Sequence, residues 1–304
     1  MMRRRDFLAT LALPALPANP ATILTHEHVL VDFIGAAGIV PGRYDPEEVF
    51  RTAKPKLEEV ARLGCRRLQE CTPNFLGRDP RLLRRLADAT GVEIWTNTGL
   101  YGARNHLFLP EYARTETSEQ LARRWEQEWR QGIDGMKPRF IKIGVNRGPL
   151  HALDRKLIEA AALCSLHTGL AIASHTGDGA AALEQIDIVV RMKASPGKFV
   201  WVHAHNEKDH SMHEKAARAG AWVEFDGISP KSLDWHLACL RQMEQRGLLE
   251  RVLISQDAGW YHVGEPGGGA YRGYATIYTH FLPMLPASWA QLLLVRNPIQ
   301  AFGA

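Results

Sequence analysis

Ile23-Leu24-Thr25-His26-Glu27-His28-Val29-Leu30-Val31-Asp32 is the stretch on which the reading of this chain turns. An apolar run climbs into two histidines one residue apart and then resumes. Side chains two apart on a β-strand share a face. His26 and His28 therefore aim two imidazoles at one point, as two ligands of a single metal must. Glu27 alternates to the other side and is not counted as a ligand. Taken alone, the stretch also fits a strand end with two unrelated histidines. Partners elsewhere in the chain decide between the readings.

Working outward, one pattern repeats. Asp45-Pro46-Glu47-Glu48 starts a helix, with Asp as N-cap, proline at the first position and acids in the first turn; it runs to about Leu63 and stops at Gly64. Arg67 to Cys71 reads as a strand, and Asp79-Pro80 opens a second helix that closes near Gly91. Strands follow at Val92–Thr98, Phe140–Val145, Leu170–Ser174, Phe199–Val202, Ala221–Phe225 and Val252–Ser255. Between them lie helical stretches at 118–132, 154–168, 178–192, 209–219 and 232–246, and a last helical region reaches the end through Asn297-Pro298. Eight strands, each followed by a helix, imply βαβ units and a parallel sheet. The even spacing over roughly 280 residues fits a closed (β/α)₈ TIM barrel, an α/β fold of one domain. An open doubly wound sheet would want a glycine-rich turn after its first strand, where this chain has His26-Glu27-His28.

In such a barrel the C-terminal ends of the strands converge on one site. Those ends carry His26 and His28, Lys142, His175, His203 and Asp257. Imidazoles and carboxylates at a barrel mouth are ligands for zinc or a similar divalent ion. Four histidines and an aspartate exceed one tetrahedral site, whereas two ions would use them all. Each residue also has a plainer reading. A strand-end His175 or His203 is often a hydrogen-bonded structural group, and His205 leaves the ligand choice beside His203 open. Asp257 could cap a following helix. Lys142 is costly in an apolar strand unless paired, neutral or modified, and Glu70 is its candidate ion-pair partner.

Composition narrows the class. Of 304 residues, 45% are hydrophobic and 23% charged, as in a soluble globular protein. The formal charge is +4, and the Arg3-Arg4-Arg5-Asp6 segment holds half of it, so nucleic-acid binding gains no support. Four scattered cysteines, without CxxC spacing, argue against a disulfide framework or thiolate zinc site. Arg4-Arg5-Asp6-Phe7-Leu8 followed by the short apolar run Ala9–Ala18 resembles a twin-arginine signal. Residues 1–21 are expected to be that signal or a disordered tail, giving periplasmic or exported localisation, with the cytoplasm as the alternative. No segment has the length and apolarity of a membrane span.

The ordered set Thr25-His26-Glu27-His28, Gly77-Arg78-Asp79-Pro80, Thr98-Gly99-Leu100-Tyr101, Ile141-Lys142, His175-Thr176, His203, Ser255-Gln256-Asp257 and Asn297-Pro298 resembles the phosphotriesterase family of the amidohydrolase superfamily. The resemblance covers nearly everything from Ile23 onward and implies a metal-dependent hydrolase barrel over residues 22–304. It implies that His26, His28 and Asp257 bind a buried ion and that His175 and His203 bind a more exposed one. Lys142, N-carboxylated, would bridge them. Zinc is the first expectation, with manganese, cobalt or iron as alternatives. A hydroxide between the ions would be the nucleophile, and Asp257 the catalytic proton acceptor. Organophosphate-degrading members carry an acid three residues after the sixth-strand histidine. Here that position is Asn206, so His205 or Glu207 serves instead or the relay is absent. Tyr101, Glu70, His205, Asn206 and Trp260 are the candidate substrate-binding residues.

The expected substrate is a small lactone or other carboxylic ester, with phosphotriesters secondary. Amide or phosphodiester hydrolysis is the rival chemistry, and a catalytically silent metal-binding or ligand-binding barrel is the rival class. The GlyGlyGly run at 267–269 is not a phosphate loop, since no Lys-Ser or Lys-Thr follows it. A homodimer is left open.

Overall fold

A computed structural model describes residues 21–303 of the protein. The expected signal therefore lies, but for its last residue, outside the described residues. Eight parallel strands form the barrel: β1 Thr22–Glu27, β2 Cys65–Glu70, β3 Glu93–Trp95 continued by Asn97–Thr98, and β4 Phe140–Gly144. The circuit continues through β5 Ile172–His175, β6 Phe199–Val202, β7 Trp222–Phe225 and β8 Val252–Ile254. Each pairs in parallel with its sequence neighbour from β1 to β8. The circuit closes where Asp257 N donates to His26 O at 3.1 Å and His26 N to Ser255 Oγ at 3.0 Å. The fold is the expected (β/α)₈ barrel.

The caps read from sequence form as side-chain hydrogen bonds. Asp45 accepts from Glu47 N ahead of helix Pro46–Arg62, and Asp79 accepts from Leu82 N ahead of Pro80–Thr90. Such caps are worth about 1 kcal/mol each and fix where each helix starts. Helix Ala152–Thr168 begins earlier than expected because His151 Nδ1 accepts from Leu153 N, displacing Asp154 as the start.

Three features depart from the sequence reading. Val92–Thr98 is not one strand: it breaks at Thr96, pairing with β2 before the break and with β4 after it. Asn97 Nδ2 bridges the gap by donating to Glu70 O at 2.9 Å and Thr72 O at 3.1 Å. Second, β1 shifts register between Leu24 and Glu27. Leu24 packs in the helix-facing core although His26, two residues on, faces the barrel mouth; a bulge re-aims the histidine pair. Third, the C-terminal helical region is broken by Pro283 and Pro286 into short α, 3₁₀ and π turns.

The last helix, Asn297–Phe302, has a task the sequence did not announce. Asn297 Nδ2 donates to Leu249 O at 3.0 Å and Val252 O at 2.7 Å, pinning it under β8. Phe302 then joins Trp95, Phe140, Trp222 and Leu253 in the core inside the barrel, its ring 5.9 Å from that of Phe140. The apolar floor thus lies at the end opposite the histidines. Phe302→Ala should lower stability by about 3 kcal/mol, the usual range for a buried aromatic truncation, while leaving metal binding intact. Denaturant unfolding and metal content check both halves.

Candidate metal centre

The six residues expected to hold metal meet at the barrel mouth. Ring centroids of His26 and His28 are 5.3 Å apart, those of His26 and His203 4.9 Å, and those of His175 and His203 4.4 Å. Asp257 Oδ1 lies 3.2 Å from His28 Nε2 and 3.7 Å from His26 Nε2, and makes no hydrogen bond. One ligand atom from each of His26, His203 and Asp257 falls within 4.8 Å of the others. Lys142 is buried, and its Nζ has only a long 3.4 Å contact to Ile143 O. All six line one cavity of about 80 Å³. Converging donors that leave each other unbonded fit cations, so the residue set suits a two-ion centre.

Electrostatics favours ligation. Burial holds His26 and His175 well below the ordinary histidine value, in the neutral form that binds metal. His203 is also penalised by burial, but the charge and hydrogen bond of Asp226 outweigh it and raise the ring. Burial likewise opposes ionisation of Asp257, yet His28, His203 and His26 hold its carboxyl well below the usual range. Burial lowers the Lys142 amine against the pull of Cys71, Asp226 and Asp257.

Backbone geometry at the site is unusual. His203, Asp257 and Trp260 all adopt left-handed φ, at 64°, 49° and 76°. Non-glycine residues hold such conformations only when their surroundings impose them. Asp226 imposes it on His203, accepting from His203 N at 2.9 Å and meeting Nδ1 at 2.7 Å. Glu27 does the same for the Asp257 loop, meeting Ser255 Oγ at 2.7 Å, Gln256 N at 3.0 Å and Ala258 N at 2.7 Å. Glu27 is thus a clamp facing away from the ligands. Asp257 caps no helix: Tyr261–His262 beyond it pairs with Leu30–Val31, laying Trp260 against His28 at 4.7 Å.

The substrate-binding expectations divide. Tyr101 and Trp260 line the cavity with Val31, Phe33 and Leu76. Glu70, His205 and Asn206 do not. Glu70 is buried, accepting from Val29 N and Thr72 N at 3.1 Å, while the Thr72 hydroxyl sits 2.6 Å from it and 2.7 Å from His28 Nδ1. It supports His28 and does not pair with Lys142. His205 Nδ1 is turned to Asp226 Oδ1 at 3.3 Å, and Asn206 is solvent-exposed. The short 3₁₀ turn after β6 carries both away from the mouth.

Asp226 and Glu224 were missed. Their signal was the one used for His26 and His28: two polar residues spaced by two at a strand end, in Glu224-Phe225-Asp226. Burial first, then neighbouring Asp226, pushes the Glu224 carboxyl well above its usual value.

Fold and site together define a metal-dependent hydrolase barrel, and a sequence profile of the phosphotriesterase family matches residues 9–302. The chain belongs to that family, whose members act with two metal ions. Among its relatives is the phosphotriesterase homology protein of Escherichia coli strain K12, 28% identical over 290 residues, covering 92% of this chain and 97% of that one. A crystal structure of that protein with phosphate in its active site superposes with a TM-score of 0.79 at 27% identity, over 93% and 98% of the two chains. An aryldialkylphosphatase of Saccharolobus solfataricus is 26% identical over 77% of this chain and 76% of its own. A phospho-furanose lactonase of Mycoplasmopsis synoviae is 26% identical over 70% and 67%. Among the described residues, no helix is long and apolar enough to cross a membrane.

Burial pushes Glu27 up from 4.5 to about 8. The folded chain then keeps a proton that the unfolded chain releases above pH 4.5. Stability from this group is present below pH 4.5 and declines as pH rises towards 8. Glu27→Gln should flatten that decline in the metal-free protein, measured as unfolding midpoints across pH 4.5 to 8. An unchanged slope would remove Glu27 as its source.

Proposed function

We propose that this protein hydrolyses ester-like bonds of small neutral substrates, lactones or other carboxylic esters first and phosphotriesters second. One observation carries the reading: six metal-ligand side chains converge on a cavity of about 80 Å³ whose remaining wall is largely apolar and aromatic. In it, His26, His28 and Asp257 would hold one ion, and His175 and His203 would hold a second. Zinc is the first choice, and manganese, cobalt and iron are alternatives. When bound, the ions supply Lewis-acid polarisation and lower the pKa of water.

The chain's own groups do the rest. Burial disfavours the Lys142 ammonium; its amine, adding carbon dioxide and giving up one proton, would become a carbamate anion suited to a site with two cations. Asp257 Oδ1, free of other hydrogen bonds, is placed to take a proton from the attacking water. No second carboxylate lines the cavity, and Asn206 is exposed, so Asp257 acts without the acid that follows the sixth-strand histidine in organophosphate-degrading relatives. Val31, Phe33, Leu76, Tyr101 and Trp260 exclude water and favour an apolar or cyclic group. All six candidate ligands come from one chain.

The direct test loads the protein with zinc or manganese and screens lactones, aryl esters, phosphotriesters, phosphodiesters and N-acyl amides. Lactones or carboxylic esters should give the highest kcat/KM, with activity lost to chelator. Absence of bound metal, or no turnover of any ester, sinks the proposal. Lys142→Ala should lose metal and activity together and regain part of both with acetate or propionate; full activity without rescue removes the bridging role. Asp257→Asn should keep metal better than turnover, and equal loss would make Asp257 a ligand only.

A further inference from the structure

Beneath the ligand layer, strand β7 and the residue that follows it turn two carboxylates, Glu224 and Asp226, towards the same histidine. His26 Nδ1 lies 3.6 Å from Glu224 Oε2 and 3.4 Å from Asp226 Oδ2, and makes no hydrogen bond to either. The two acids differ in their commitments. Asp226 is tied to His203 by contacts at 2.7 and 2.9 Å. Glu224 has no solvent exposure and neither of its oxygens has a hydrogen-bond partner. A buried carboxylate in that state destabilises the fold, so its position calls for a compensating role. Its distance to His26 exceeds an N–H···O bond by only a few tenths of an ångström. Thr25, Cys71 and Lys142 are its other inner neighbours; the Thr25 hydroxyl faces it but, like the Glu224 oxygens, completes no hydrogen bond, and neither Cys71 nor Lys142 bonds to it.

We propose that Glu224 is the positioning residue for His26. Its carboxylate takes the Nδ1–H of the imidazole, fixing the tautomer so that the Nε2 lone pair faces the metal centre. Histidine ligands are oriented by such outer carboxylates, whose loss weakens metal binding 10- to 100-fold. Asp226 orients His203 and Glu224 orients His26, so each of the two ions has one histidine locked from strand β7. Asp226 Oδ2 is as near to His26 Nδ1, at 3.4 Å, but both Asp226 oxygens already accept from His203, whereas both Glu224 oxygens are free for the ring. The inference rests on the two-ion reading above.

The test uses the full-length protein and its Glu224→Gln, Glu224→Met and Glu224→Asp variants, with zinc as the probe. It reads ions per chain after dialysis, zinc affinity by chelator competition, and melting temperature without metal. Wild type should hold two ions. Glu224→Gln keeps an acceptor oxygen and should stay within about threefold of wild-type affinity. Glu224→Met should weaken one of the two ions 10- to 100-fold while the metal-free form melts at or above wild type, since an unpaired acid has been removed. A purely structural Glu224 would show the reverse: lower melting temperature and unchanged affinity. Should Glu224→Met fail to fold, Glu224→Asp, whose shorter carboxylate cannot reach the ring, must show the same weakening. Two ions at wild-type affinity in both of these variants overturns the inference alone. A third ion in wild type that Glu224→Met abolishes also overturns it, making Glu224 a ligand. A wild type that binds no ion overturns this inference and the proposed function together.

Discussion

The barrel closes on itself at one place, the seam between the first and last strands, and that seam is also half of the candidate metal centre. Asp257 N donates to His26 O, so the bond that completes the circuit joins two of the six candidate ligands. There is no ladder between β1 and β8; Ser255 Oγ and the clamp of Glu27 on Ser255, Gln256 and Ala258 replace it. A side chain set aside because it faced away from the ligands therefore holds the ligands' scaffold. Closure and site assembly share one set of hydrogen bonds, and a change in either disturbs both.

The interior is layered by polarity. At one end Phe302 and the tryptophans of β3 and β7 form a dry floor. Above it Lys142, Glu224 and Asp226 are buried on strands that also carry floor residues, and the imidazoles stand at the mouth. Ionisable groups in such a place raise the energy of the empty protein, and they are tolerated because the rest of the barrel supplies ample apolar burial. The left-handed backbone at His203, Asp257 and Trp260 is strain of the same kind. Both mark the mouth as the part of the fold shaped by chemistry more than by stability.

Much of this was legible in the linear chain. Strand count, helix caps and the phase of His26, His28, Lys142, His175, His203 and Asp257 all follow from local rules: alternation along a strand, N-cap preference, glycine stops. Those rules concern neighbours in sequence, and they held wherever neighbours decide the outcome. They failed at Thr96, where β3 changes partner, and at Leu24–Glu27, where the bulge breaks the alternation assumed for the whole strand. They also gave no sign that Glu70, His205 and Asn206 stand outside the cavity lining, because Glu70 turns to Val29 and Thr72 and the direction of His205 and Asn206 depends on the turn that follows β6.

The sequence by itself carried the class of fold and put forward the six candidate ligands that the structure gathers at the mouth, since residue type and spacing carry that information. Only the tertiary structure showed that two carboxylates stand behind the histidines. Glu224 and Asp226 lie some 200 residues from His26 in the chain, yet both come within 4 Å of its ring. It also decided that the last helix seals the floor and that Glu27 clamps the seam. Each is a contact between residues that only barrel closure brings together, and no periodicity in the chain encodes a distance across the barrel.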